Sequence, residues 1–313
     1  MFSYLVKRLL GLIPTLLGVT LLVFLLIHVA PGGPVMLLLG PMASAEEIAR
    51  TEQALGLDRP LPEQYLNYLG RLLQADLGNS IQTGRPILDS FRQRFPYTLQ
   101  IVVMSILVSS LGAFIVGLTA GIKNRSKFDS ATMIGVLVAV SMPNFWLALM
   151  LILLFAVWWP ILPLYGMPLV TENFSEGLLA TLLPAVALGA YYTAMLSRTI
   201  RGEMIEVLSQ GYIRLARGFG LPGWKIYLKY ALKNALIPVI TLLGLQVRYA
   251  FGGAAIIEIV FAVPGIGQYL INGILSRDYP VIQGTILLLA VIFSVVNLLV
   301  DVAYTYIDPR IKW

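Results

Sequence analysis

Six stretches of this chain, near 9–30, 97–122, 131–158, 178–198, 236–259 and 281–304, are apolar over lengths that suit a hydrocarbon layer of about 30 Å, which roughly 20 helical residues cross. With 58% of its 313 residues hydrophobic and 12% charged, a water-soluble globule of this size could not bury them all. The sequence therefore predicts an all-α, polytopic membrane protein with six transmembrane helices. The first stretch follows Lys7 and Arg8. Its apolar run is too long for a secretory signal and no small-residue cleavage pattern follows, so 1–30 is expected to be a retained anchor helix.

Charge orients the spans. If the N-terminus is inside, one side receives Lys7, Arg8, Lys123, Arg125, Lys127, Arg198, Arg201, Arg214, Arg217, Lys225, Lys229, Lys233, Arg310 and Lys312, most of the 22 basic residues. The positive-inside rule then places both termini in the cytoplasm. The net charge of +6 is read as a topological signal and not as a nucleic-acid footprint.

Counting removes much chemistry. Cysteine is absent and histidine occurs once, which excludes disulfides, thiolate nucleophiles, Cys/His zinc sites and paired-histidine catalysis. No HExxH, GxxxxGK[ST] or GxSxG stretch occurs, so the chain has no visible means of binding ATP or breaking a bond, and it is not expected to be an enzyme.

The segment 31–95 carries its own helix signals and is expected to form a small helical insertion on the outer face. Ser44 with Glu47 reads as a capping box and Gly56 as a stop; Pro62 opens a second helix with Tyr65, Leu66, Leu69, Leu72 and Leu73 on its apolar side. It is either a structural lid or a landing surface for an extracytoplasmic partner. The remainder, 96–313, is expected to be a core of five helices.

Within that core, 199–235 is too polar to span and too long for a turn. Its halves have helical periodicity on either side of Gly218, Gly220, Pro222 and Gly223, which predicts helix, turn, helix. Lys225, Lys229 and Lys233 recur every fourth residue, and Leu228, Leu232 and Leu236 do so on an adjoining face. Such an elbow could lie on anionic lipid. Ala216, Gly218 and Gly220 strip bulk from its bend, which suits insertion into a groove of another protein.

These residues resemble the cytoplasmic loop of the inner-membrane permease subunits of binding-protein-dependent ABC importers, summarised as E-A-A-x3-G-x9-I-x-L-P. Arg214, Leu215 and Ala216 take the E-A-A positions, Gly220 the glycine, and Tyr230, Ala231, Leu232 and Lys233 the I-x-L-P positions; Ala216, Gly220 and Leu232 match. The dipeptide/oligopeptide/nickel branch has its own pattern, similar to YxRxARxxG followed by ALRNAxIP. Tyr212, Arg214, Ala216, Arg217, Gly220, Ala231, Leu232, Asn234, Ala235, Ile237 and Pro238 fit it. The segments KRLLGLIPTLLGVTLLVFLLIHVAPGGP, DLGNSIQTGRPI, SMPNFWLALMLILLF, GGAAIIEIVFAVPGIGQYLINGILSRDYPVIQG and NLLVDVAYTYIDPRIKW resemble this branch in the same order.

The resemblance implies a type I ABC-importer permease fold in a bacterial or archaeal inner membrane. It implies a second homologous permease as heterodimer partner, an extracytoplasmic binding protein, and two ATPase subunits that hold the ATP and Mg. No cofactor, metal or nucleic acid would be bound by this chain, and lipid surrounds it. Tyr212, Arg214, Leu215, Ala216, Arg217, Gly218 and Gly220 would couple to the ATPase. The substrate would be short peptides, with nickel or a metal chelate as the alternative.

Inside the spans, Arg248 costs roughly 2.5–3.5 kcal/mol to insert, so it should face protein or the pathway rather than lipid. Gln246, Arg248, Gly252 and Glu258, with the break at Pro143 and Asn144, are the candidate pathway or gate residues. Glu258 and Asp301 are read as mainly structural or gating, and His28, before Pro31, Gly32 and Gly33, as a packing residue. Pro14, Pro143 and Pro184 are expected to kink or unwind their helices. Trp158 and Trp159 mark an aqueous boundary, and Trp146 is expected to pack. An ion-coupled secondary transporter would need inverted repeats and midplane acids, and an intramembrane hydrolase would need a base; neither is visible.

Overall fold

The computed structural model describes residues 2–29, 35, 39, 43–163 and 166–307. Among these the elements are helical: α1 (Phe2–Val29), α2 (Ala45–Leu55), α3 (Leu61–Leu73), α4 (Ile87–Ile122), α5 (Lys127–Ser141), α6 (Asn144–Ile152), α7 (Phe174–Leu208), α8 (Gly211–Gly218), α9 (Leu232–Val260), α10 (Ile266–Leu275) and α11 (Tyr279–Ile307). A π-helical turn, Leu153–Trp158, continues α6, and another, Lys225–Ala231, leads into α9.

Among the described residues four helices are long and apolar enough to cross a membrane: Ile87–Ile122, Phe174–Leu208, Pro238–Val260 and Tyr279–Ala303. Lys127–Ser141 with Asn144–Trp158 makes a fifth if the pair is one span, and α1 contributes a shorter apolar run, Leu10–Leu25. The third expected span is not a kinked rod but two helices bent by 106°. Proline at 143 bars the helical conformation at Met142. Both residues are extended, and α6 restarts with the Leu147 N–H on the Pro143 carbonyl at 3.1 Å. Pro14 and Pro184 do not unwind their helices: α1 and α7 stay helical through them.

The chain divides into two compact units. One comprises Met1–Phe95 with Gln268–Leu299. In it the Ser44–Glu47 capping box is formed and Gly56 ends α2 at φ +69°. Pro62 lies in the first turn of α3, which packs on α1: the Tyr65 hydroxyl is 2.9 Å from Thr20 Oγ1, and Phe24 meets the rings of Tyr65 and Tyr68. The apolar side of α3 is narrower than expected, because Leu66 and Leu73 are exposed. His28 bonds to the Phe24 carbonyl and Gln64 Oε1, each at 3.0 Å, and so acts in packing. Pro31, Gly32, Gly33, Arg310 and Lys312 lie outside the described residues. Asp278, which is buried, accepts from Ser80 Oγ at 2.6 Å and from the Ile81 and Gln82 N–H groups at 3.2 Å, fastening the loop before α4 to the turn before α11.

The other unit comprises Pro96–Gly267 with Val300–Lys312. Glycines on α4 let α7 approach closely: a Cβ at Gly117 would sit 2.6 Å from the Ser197 carbonyl oxygen, and one at Gly121 would sit 2.7 Å from Met204 Cβ. Leu196, Ile200 and Met204 of α7 then share a buried cluster with Ala113 of α4 and Ala235 and Val239 of α9. Trp146 is more covered, at 41% exposure, than Trp158 and Trp159, at 67% and 61%.

Candidate functional site

The polar elbow is built as an outgrowth of two spans. The first ten residues of 199–235 are not a separate loop helix, since α7 continues through them to Leu208. Gln210 is extended, and α8 follows for two turns. It ends where the Gly220 N–H bonds to the Arg217 carbonyl at 2.9 Å and the Leu221 N–H to the Ala216 carbonyl at 3.2 Å. This paired closure requires a left-handed residue after the cap. Gly220 supplies it at φ +73°, and Pro222 bars continuation.

The elbow has a fixed inner side and an open outer one. Ile213, Ile226 and Ala231 are fully buried in the cluster of Leu196, Ile200 and Met204. Of the expected leucine face, Leu232 and Leu236 pack on this cluster, but Leu228 is exposed and the fully buried pair is Ile226 and Ala231, five residues apart. A π turn brings i and i+5 into line, so the strict fourfold spacing does not hold. On the outer side Phe219 is 80% exposed, with Leu215, Trp224 and Tyr212 also open beside the exposed Arg214, Arg217 and Lys225. A Cβ at Gly218 or Gly220 would meet nothing within 4 Å, so packing within this chain does not demand their smallness. Ala216 is half-buried between the two sides.

Residues 113–313 match the family described as the binding-protein-dependent transport system inner membrane component, and residues 1–102 match its N-terminal companion, the binding-protein-dependent transport system membrane component, N-term. The chain belongs to this family of membrane components. The permease is 40% identical to the dipeptide transport system permease protein DppB of Alkalihalophilus pseudofirmus, covering 100% of both chains. It is 37% identical to DppB of Escherichia coli, over 100% of this chain and 99% of that one. It is 38% identical to the glutathione transport system permease protein GsiC of Salmonella choleraesuis, again over 100% of each. Among solved structures, a chain of the MetNI methionine ABC transporter in an inward-facing conformation matches with a TM-score of 0.50 at 17% identity. The match covers 67% of this chain and 94% of that chain, and it shows the fold alone. The permease is a multi-pass inner-membrane subunit of an ABC importer, which works with a binding protein and an ATPase and is not itself the ATPase.

The permease's polar span residues do not converge on one place. Glu258, which is wholly buried, accepts from Thr98 Oγ1 at 2.5 Å, while Thr98 Oγ1 accepts from the Ile266 N–H at 2.9 Å. A Cβ at Gly265 would fall on the Glu258 carboxylate, and one at Gly267 on Ala255. The EIVFAVPGIG stretch is thus a folded-back turn with the carboxylate as its core. Gln246 is also buried, and its amide donates to Ser109 Oγ. Arg248 donates to Asp301 Oδ1 at 2.6 Å. Gly252 is open, and Pro143 and Asn144 form the bend described above.

One ion pair escaped the sequence reading. Arg201, counted there as a loop cation, lies on α7 and donates to Asp129 through Nε and, at 2.8 Å, through a terminal nitrogen. Asp129 is buried at the start of α5 and also accepts from the Arg125 N–H at 3.0 Å. Asp129 and Val136 are the two buried residues of α5, so this pair is a main tether of the bent span to the helix that carries the elbow. The signal available was an acid three residues after Ser126, which caps α5 and also needs a cation.

Proposed function

We propose that the permease moves short peptides, with its elbow on the cytoplasmic face seated in a groove of an ATPase subunit. The observation that carries this reading is the division of the elbow into a buried anchor, Ile213 and Ile226, and an open apolar ridge of Leu215, Phe219 and Trp224. Outside a membrane such a ridge is a protein contact surface, where aromatic anchors flanked by cations dominate binding. Tyr212, Arg214, Leu215, Ala216, Arg217, Gly218 and Gly220 are its contact residues. Closure of the ATPases on ATP and Mg would then bias the rigid α7–α8–π-turn–α9 assembly between inward- and outward-facing states.

The substrate class follows from the relatives, which are named for dipeptide and for glutathione transport. They do not favour the nickel alternative. A second homologous permease would complete the pathway, both termini would face the cytoplasm, and 31–95 would lie on the outer face within reach of the binding protein. The test is reconstitution of the permease with its sister subunit, ATPases and binding protein in proteoliposomes. Uptake of labelled dipeptide that requires ATP inside and binding protein outside is expected; uptake driven by an ion gradient through this chain alone would overturn the proposal.

A further inference from the structure

Arg248 sits within the Pro238–Val260 span, yet 31% of its side chain is exposed and its buried Nε has no hydrogen-bond partner among the described residues. A charge at this depth faces protein or a water-filled path, because lipid penalises it heavily. Its neighbourhood on the open face of α9 is not a sealed helix contact. Tyr249 beside it is exposed, and Gly252, one turn on, leaves empty space where a side chain would stand. A cation with its paired acid therefore stands on a face of α9 that also carries an open phenol and an uncovered glycine.

We infer that the Arg248–Asp301 pair is a recognition site for the ionised ends of a peptide in transit, an inference that rests on the peptide reading above. A short peptide at neutral pH carries one carboxylate and one ammonium. The guanidinium matches the carboxylate through parallel N–H donors, and the side chain is about a third open to receive one. Asp301 is the corresponding acceptor for the ammonium. With no peptide present the two side chains neutralise each other at 2.6 Å, so the path holds no isolated charge. With a peptide present they exchange one partner for another of like charge, which keeps binding weak enough for release.

The experiment compares wild type, Arg248→Met, Asp301→Asn and the double variant in the complete importer with its binding protein. Peptide moved per ATP hydrolysed is the first readout, and copurification of the sister permease and ATPases is the second. The inference expects each single variant to lose about tenfold or more in that ratio, the scale of a lost charge-assisted contact. It expects the double variant to assemble yet stay as impaired, because neutralising both charges removes the unpaired charge without restoring recognition. A double variant that regains wild-type transport would make the pair a structural ion pair only, and loss of the sister permease from the purified complex would make it an assembly contact; either overturns the inference. Failure of wild type to import dipeptide would instead overturn the peptide reading.

Discussion

Phe219→Ala isolates the outer side of the elbow from the inner one. An aromatic side chain of this type offers about 150–250 Å² to a contact. Since 80% of Phe219 is open in the isolated chain, about 120–200 Å² remains for a partner to cover. At about 25 cal/mol/Å² the ceiling is about 3–5 kcal/mol, and measured truncations of central anchors fall near 2–4 kcal/mol. The expected loss in affinity for the ATPase subunit is therefore about 30- to 1,000-fold. The same substitution should change the permease's own stability by no more than about 0.5 kcal/mol, because the ring packs on little of its own chain. Ile213→Ala is the mirror case: it empties a fully buried site and should cost about 2–5 kcal/mol of stability. Titration of ATPase onto permease in nanodiscs, with thermal unfolding of the permease alone, reads both quantities. An ATPase affinity unchanged by Phe219→Ala, or a Tm lowered as much as by Ile213→Ala, would refute the reasoning.

Further outcomes follow from the same geometry. Gly220→Ala forces a side chain into the left-handed region at about 1–2 kcal/mol but meets no atom within 4 Å, so insertion should survive while dipeptide uptake falls; full uptake would show that the turn tolerates loosening. Gly265→Ala should lower the Tm of the purified permease, because the new methyl falls on the Glu258 carboxylate at an overpacking cost of about 1–3 kcal/mol. A Tm equal to wild type would mean that the carboxylate moves freely. Asp129→Asn should destabilise by about 1–3 kcal/mol, less than a fully buried pair would because Arg201 is a quarter exposed, and adding Arg201→Gln should recover part of the loss. Strictly additive losses in that double-mutant cycle would deny the tether.

How far the sequence reached depended on whether a feature was local. The Ser44–Glu47 box and the Gly56 stop are decided within a few residues, and both formed as read. The elbow was visible for the same reason, through its glycines and its polarity between apolar runs. Its register was not, because the π turn at Lys225–Ala231 shifts burial from Leu228 to Ile226, and a strict helical period cannot anticipate an added residue. The bend at Pro143 was legible as a break, but its 106° angle depends on how α5 and α6 are held. The pairings Asp129–Arg201, Glu258–Thr98 and Arg248–Asp301 join residues 53 to 160 positions apart, beyond any local signal. Glu258 and Gly265 came closest to disclosing themselves, since an intramembrane acid followed by repeated glycines needs room as well as a partner.

The absence of native cysteine makes the decisive measurement clean. Single cysteines placed by Leu215→Cys and Phe219→Cys, in the assembled importer, should form cross-links of short reach to the ATPase subunit and should be shielded from aqueous maleimide there. Full labelling by aqueous maleimide in the intact complex, with no cross-linked ATPase, would contradict the claim that this ridge is the surface through which the importer is driven.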